Sequence, residues 1–177
     1  MKKLFAKTLI AASIAGTAFA AQAQEVTLKV HHFLSAQTFI HTGVFEPWCA
    51  KLGKESNNRI KCQIYPAMQL GGTPPQLFDQ AKDGVADVVW TVLGYSANRF
   101  PMSEVFELPF TMTKAEATSR AAWEFTQQYA AHEFKDVKVL AVHVHGPGYL
   151  FTTKKQMKTM EDFKGMKFRA PTRLTNK

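Results

Sequence analysis

The chain has 177 residues, 22 Lys/Arg against 14 Asp/Glu, and two cysteines. The excess charge of +8 sits at the ends: Lys2, Lys3 and Lys7 open the chain, and residues 154–177 hold eight Lys/Arg against Glu161 and Asp162. The body between is close to neutral, which excludes the basic stripe a nucleic-acid binder carries through its folded part.

Residues 1–23 read as a secretory signal peptide. Lysines are followed by an apolar run from Thr8 to Ala21 and by the small residues Ala21-Gln22-Ala23. The apolar run is too short to span a bilayer. The expectation is a periplasmic protein that starts near Gln24. In such a compartment Cys49 and Cys62 are either one disulfide or two buried thiols that pack as small hydrophobes.

Val26, Leu28 and Val30 alternate with polar residues and predict a first strand, with His31-His32-Phe33-Leu34-Ser35 as the loop after it. A helix is expected through Ile40, Val44, Trp48 and Leu52, kinked or restarted at Pro47. Residues 59–65 alternate again and predict a second strand. Gly71-Gly72-Thr73-Pro74-Pro75 reads as a helix start, with Thr73 as N-cap and Pro74 in the first turn. That helix carries Leu77, Phe78 and Ala81 and stops at Asp83-Gly84. The apolar run from Ala86 to Val92 reads as a third strand covered on both faces.

An irregular segment spans Asn98 to Phe110. Thr113 is expected to cap a helix through Ala117, Ala121, Trp123, Phe125 and Tyr129. Residues 137–144 read as a fourth strand, which runs into His145-Gly146-Pro147-Gly148 and a further extended run, 149–153. Gly-Pro-Gly reads as a hinge out of the first domain. Near the end, Asp162-Phe163-Lys164-Gly165 is a capped turn, and Met166 to Pro171 a short strand that carries Arg169 to a loop. The succession of strand–helix–strand units predicts an α/β fold with a mostly parallel sheet and helices on both faces.

Several side chains are candidates for chemistry. A guanidinium fork matches the two oxygens of a carboxylate in one plane, so Arg169 at a strand end is a candidate clamp; a surface ion pair is the plainer reading. Ligands of open α/β sheets sit outside the carboxyl ends of the strands. That edge collects Trp90, Tyr95 and Asn98 after the third strand and His31, His32 and Phe33 after the first. Trp90 and Tyr95 are placed to stack on a ligand ring, or else lie in the core. His143 and His145 flank Val144 on one face of a strand, where they point into a polar cleft or satisfy backbone; with His31 and His32 they raise a metal-binding alternative, which needs three or four convergent ligands. No nucleophile stands beside a base and its orienter, which argues against an acyl-transfer enzyme. A secreted enzyme acting on a small carboxylate remains the alternative from another class.

Taken in order, these segments resemble the periplasmic solute-binding proteins of tripartite ATP-independent periplasmic (TRAP) transporters, the DctP-like solute-binding family 7. The matching pieces are Arg59-Ile60-Lys61, Tyr65-Pro66-Ala67, Gln69-Leu70-Gly71-Gly72, residues 83–90, Glu107-Leu108-Pro109-Phe110 and residues 162–171. The resemblance implies a two-domain periplasmic-binding-protein-like fold, truncated here: residues 24–146 as an incomplete N-terminal α/β domain, and residues 147–177 as the hinge and start of a second. It implies capture of a small organic acid without cofactor or metal, delivery to TRAP membrane permease subunits, and no enzymatic turnover. It also implies that Arg169 makes the bidentate pair with the ligand carboxylate. One departure bears on specificity. Many members carry a second arginine after the fourth strand, where this chain has Gly146-Pro147-Gly148-Tyr149. Tyr149 donates one hydrogen bond and brings a ring, which suits an aromatic, keto or hydroxy monocarboxylate. The ligand set so expected is Arg169, Trp90, Tyr95, Asn98, His32, Phe33, His145 and Tyr149.

Overall fold

In the computed structural model the chain is described over residues 25–108, 110–112, 114–146, 148–153, 156–172 and 174–176. The signal-peptide segment, the Thr113 cap and Pro147 of the Gly-Pro-Gly hinge lie outside the described residues.

Strand β1 (Val26–His32) is the centre of a three-stranded sheet of order β2-β1-β3. It pairs in parallel with β2 (Ile60–Tyr65), Val26 opposite Ile60 through His31 opposite Tyr65. On its other side it pairs in parallel with β3 (Val88–Trp90), with His32 opposite Trp90. Parallel strands require crossover segments, and those segments pack on the faces of the sheet.

The first crossover begins with a π-helical turn, Ile40–Phe45, and passes directly into α1 (Glu46–Glu55) with Pro47 in its first turn. Proline lacks the N–H that would be unpaired there in any case, so the helix tolerates it. Cys49 of α1 is bonded to Cys62 of β2, with Cα atoms 5.6 Å apart. The second crossover opens on Thr73, whose backbone N–H donates to Gln76 Oε1 at 2.8 Å. It runs through a 3-10 turn, Pro74–Gln76, into α2 (Leu77–Lys82), with Leu77 and Phe78 buried. Gly84 ends it with a φ of +75°, in the left-handed region where a Cβ is costly.

Both faces are covered at the carboxyl half of β1, where Val30, His31 and His32 are all 0 % exposed. Neighbouring strand residues point to opposite faces. His31 meets Gln80 of α2 at 2.7 Å on one face. His32 meets His41 of the π turn at 2.9 Å and stacks on Phe45 on the other. The expected helices on both sides of a parallel sheet are therefore present. The expectation of a loop at His31 and His32 is corrected: both belong to β1, and the hydrogen-bond ladder carries the strand two residues further than the aliphatic alternation indicates.

A second cluster packs beside the sheet. Phe78, Phe100 and Phe134 are buried together, with Leu93, Val137 and Val139 against them. Phe100 lies edge-on to Phe78 and stacks on Phe134, at ring distances of 5.0 and 5.1 Å. Arg99 spreads its guanidinium over Phe78 at 4.1 Å and donates to Asp79 Oδ1 at 2.8 Å. That bond holds the Asp79 carboxyl below its ordinary range. Helix α3 (Ala115–Phe125) passes into a π turn, Thr126–Ala130, and a 3-10 turn, Ala131–Phe134, which delivers Phe134 to this cluster.

The predicted fourth strand at 137–144 joins no sheet among the described residues, and neither do 149–153 and 166–171. Strand structure needs a neighbour's N–H and C=O groups, and among the described residues these segments pair with none. Val144 N–H donates instead to Ser119 Oγ at 3.0 Å, whose own proton goes to the Ala115 carbonyl at 2.6 Å.

Candidate aromatic site at the carboxyl edge of the sheet

The carboxyl ends of β1 and β3 lie side by side because His32 is in register with Trp90. The next residue along β1, Phe33, stacks on Trp90 with ring centroids 5.2 Å apart and planes 24° from parallel. Tyr95, in the 3-10 turn Leu93–Tyr95 that follows β3, closes on the same Phe33 ring at 5.5 Å. Trp90 also donates its indole N–H to His143 Nε2 at 2.9 Å, and the two rings lie 15° from parallel. Phe33, Trp90, Tyr95 and His143 therefore form one wall of rings at the sheet edge. Such a wall can stack a flat ligand, since offset aromatic pairs gain beyond their buried area.

The loop that carries Phe33 is pinned from below. Ala67 and Met68 donate their backbone N–H groups to the carbonyls of Leu34 and His32, at 2.8 and 3.1 Å. Both adopt positive φ to do so. The turn after β2 thereby fixes the loop after β1.

Behind the wall, His32 is sealed off. Its Nε2 contacts His41 Nδ1, and His41 Nε2 faces Glu46 Oε1 at 3.4 Å. His32 Nδ1 is buried and has no hydrogen-bond partner among the described residues. Burial pushes the His32 pKa down to about 4, and His41 and His31 add to the shift; the Leu34 backbone opposes it. The ring stands behind the wall as packing, which corrects its expected place on the lip of the cleft. His31 is likewise engaged, by Gln80 and by the Leu70 N–H, and burial lowers its pKa.

The remaining candidates are open. Asn98 is exposed, with a φ of +65°. His145 is exposed and contacts its neighbour's carbonyl, Gly146 O, at 2.6 Å. Tyr149 is 76 % exposed, and Arg169 is exposed. The structure thus brings Phe33, Trp90 and Tyr95 together and leaves Asn98, His145, Tyr149 and Arg169 facing solvent. Among the described residues no three His, Cys, Asp or Glu side chains converge to hold a metal. His143 belongs to the ring wall through Trp90, a partner that neither the polar-cleft nor the metal reading of the His143–His145 pair names. Its i,i+2 spacing with His145 gave no sign of the partner 53 residues away.

One contact ties the Arg169 segment to this wall. Gly94, immediately before Tyr95, is buried, and a Cβ there would meet Thr172 Cγ2 at 2.7 Å and the Glu107 carboxyl. Thr172 is 7 % exposed and lies three residues beyond Arg169. The chain that carries the arginine is therefore seated against the turn that carries Tyr95.

Comparison with known proteins gives a consistent picture. The DctP model, bacterial extracellular solute-binding protein family 7, matches residues 30–177. Among curated proteins, the outer membrane transporter protein TsaT of Comamonas testosteroni is 30 % identical over 159 residues, 89 % of this chain and 46 % of that protein. A solved TRAP solute-binding protein from Rhodoferax ferrireducens, in complex with copurified benzoate, is 58 % identical, with a TM-score of 0.80 over 84 % of this chain and 46 % of that one. A marine-metagenome TRAP solute-binding protein specific for aromatic acid ligands, in complex with 3-hydroxybenzoate, is 52 % identical, with a TM-score of 0.81 over 85 % and 47 %. One from Bordetella bronchiseptica with bound mandelate is 31 % identical, with a TM-score of 0.69 over 79 % and 44 %. The chain spans about half the length of the relatives it matches.

Proposed function

The chain belongs to bacterial extracellular solute-binding protein family 7, and from that premise we propose that it captures an aromatic monocarboxylate in the periplasm and presents it to TRAP membrane permease subunits. The observation that carries the aromatic part is the ring wall of Phe33, Trp90 and Tyr95 at the carboxyl edge of the parallel sheet. The relatives with benzoate, 3-hydroxybenzoate and mandelate support it.

The binding mode follows from the residues. Residues 24–146 form one lobe and 147–177 lead into another, with the ligand between. Its ring lies on the wall and its carboxylate meets Arg169 through two parallel N–H···O bonds. Tyr149, Asn98 and His145 border the same cleft. Closing the lobes removes water and strengthens the ion pair. The ligand leaves unchanged, since the role is carriage.

Isothermal titration of the full-length protein against benzoate, 3-hydroxybenzoate, mandelate and an aliphatic acid such as succinate tests this. Stoichiometric binding of the aromatic acids, with quenching of tryptophan fluorescence, is expected. Arg169→Lys is expected to weaken that binding by about 1–3 kcal/mol, because one ammonium cannot reproduce the fork. Preference for the aliphatic acid refutes the aromatic reading, and unchanged affinity in the lysine variant removes Arg169 from the site. Turnover of any bound acid restores the enzyme alternative.

A further inference from the structure

The Trp90 indole has a single donor, and a side chain far along the sequence engages it. Its Nε1–H donates to His143 Nε2 at 2.9 Å, across 53 positions. An indole N–H donates and never accepts, so the imidazole nitrogen opposite must hold a free lone pair. The contact therefore requires an unprotonated His143 whose ring proton sits on Nδ1.

This bond does more than satisfy a donor. An indole N–H lies in the ring plane, so its acceptor lies beyond the ring edge. With the planes 15° apart, the two rings make one nearly continuous flat surface. Phe33 lies on the Trp90 part of it, with ring centroids 5.2 Å apart. An indole without an in-plane partner is free to turn among its side-chain rotamers, and the bond to His143 opposes that turn. His143 is itself anchored, because the next residue, Val144, donates its N–H to Ser119 Oγ of α3 at 3.0 Å. With its N–H engaged, Trp90 offers a ligand a face and no donor.

We infer that His143 is the positioning residue of the ring wall: its unprotonated Nε2 sets the Trp90 plane that receives a ligand ring, and a proton on that nitrogen frees the indole and weakens capture in acid. This rests on the aromatic-acid reading above and adds the regulation of that same site. A protonated imidazole donates from both nitrogens, so its Nε2–H would oppose the indole N–H, donor against donor. The ring is exposed, so solvent protons reach it without unfolding. Titratable groups on the elements around it have partners of their own. His145, on the same segment, contacts Gly146 O at 2.6 Å. Glu116 and Arg120 of α3 bond to each other at 2.8 Å. Asp87, just before β3, accepts from the Lys29 N–H at 2.8 Å. His32 of β1 meets His41 behind the wall, and Tyr95 closes on Phe33.

The test uses the full-length protein, with benzoate as the probe, titrated calorimetrically from pH 8 to 5.5, a range in which imidazoles change charge. The wild type is expected to lose affinity roughly fivefold across that range, the effect of about one net hydrogen bond. His143→Gln keeps an acceptor, the amide oxygen, and cannot titrate. Its affinity is expected to vary by less than about twofold over the same range. His143→Phe keeps a flat ring without an acceptor, and at pH 8 it is expected to bind roughly fivefold more weakly than the glutamine variant. His32 titrates alike in all three proteins, so the comparison is between their slopes. In the ligand-free protein the Trp90 indole N–H resonance, assigned by its absence from Trp90→Phe, is expected to move with pH in the wild type and to stay fixed in His143→Gln. A static resonance in the wild type overturns the inference, and so do equal slopes in the wild type and the glutamine variant. Both leave the aromatic reading standing as long as benzoate binds. Equal losses in the glutamine and phenylalanine variants at pH 8 also overturn it, since they mark a side chain needed only for packing. No binding of benzoate by the wild type at any pH removes the aromatic reading and this inference together.

Discussion

Lowering the pH should destabilise this protein through His32 before its carboxylates are titrated. The ring is 0 % exposed, flanked by His41 and backed by Phe45. Its pKa falls from 6.5 to about 4 on folding, chiefly by burial. Between those values the unfolded chain holds a proton that the folded chain refuses, so stability rises with pH across this window. The contribution is fully present above about pH 6.5 and is lost as pH falls toward 4. One proton corresponds to about 1.4 kcal/mol per pH unit. From pH 7 to pH 5 the loss is about 2 kcal/mol, and by pH 4 it approaches about 3 kcal/mol. His31, whose pKa burial also lowers, acts in the same direction. Glu46, on the adjoining helix, faces His41 at 3.4 Å.

Urea unfolding at intervals from pH 7.5 to 4, followed by circular dichroism, measures the effect. His32→Gln removes the titrating ring, and the slope of stability against pH in that window should flatten by about one proton's worth relative to wild type. A wild-type profile flat from pH 6.5 to 4.5, or an identical slope in the glutamine variant, refutes the reasoning. Either result would mean that the ring is hydrated or protonated in the folded state.

Other consequences are as direct. Reducing the Cys49–Cys62 bond, which closes a loop with a separation of 13 residues, should lower stability by about 3 kcal/mol in the chain-entropy account, as measured by urea unfolding with and without reductant. An unchanged midpoint would show that the loop is already ordered in the unfolded state. Gly94→Ala forces a methyl group toward Thr172 and Glu107 and should cost about 1–3 kcal/mol, read as a drop in melting temperature; a neutral result would show that the Thr172 segment yields freely. Phe100→Ala empties the centre of the Phe78–Phe100–Phe134 cluster and should cost about 3–5 kcal/mol by the same unfolding assay. A cost under about 1 kcal/mol would mean that the cluster collapses to fill the space.

Much of the parallel sheet was legible because its signals are local. Alternation at Val26, Leu28 and Val30, the apolar run before Trp90, and the Thr73-Pro74 helix start each reflect a backbone period or a missing N–H within a few residues. Pro47 likewise marks the start of α1, for the same reason. The reading failed where a period had to be extended without its neighbours. His31 and His32 look like loop residues by polarity, yet pairing on both sides of β1 keeps them in the strand. Residues 137–144 look like a strand by composition, yet among the described residues they join no sheet, because pairing depends on segments far away in the chain.

The candidate site divides in the same way. That Trp90, Tyr95 and Phe33 share the carboxyl edge of the sheet was legible from the order of elements alone. That Phe33 stacks on Trp90, that His143 accepts from the indole, and that Glu107 and Thr172 meet at Gly94 were decided by the tertiary structure alone. Those contacts join residues tens of positions apart, and no local periodicity records them. Sequence alone determined where the three paired strands and the helices of the crossovers begin, and which residue types reach the sheet edge, because backbone preferences act over a few residues. The closure of the crossovers determined which of those side chains face one another, because packing is settled only when distant segments share one volume.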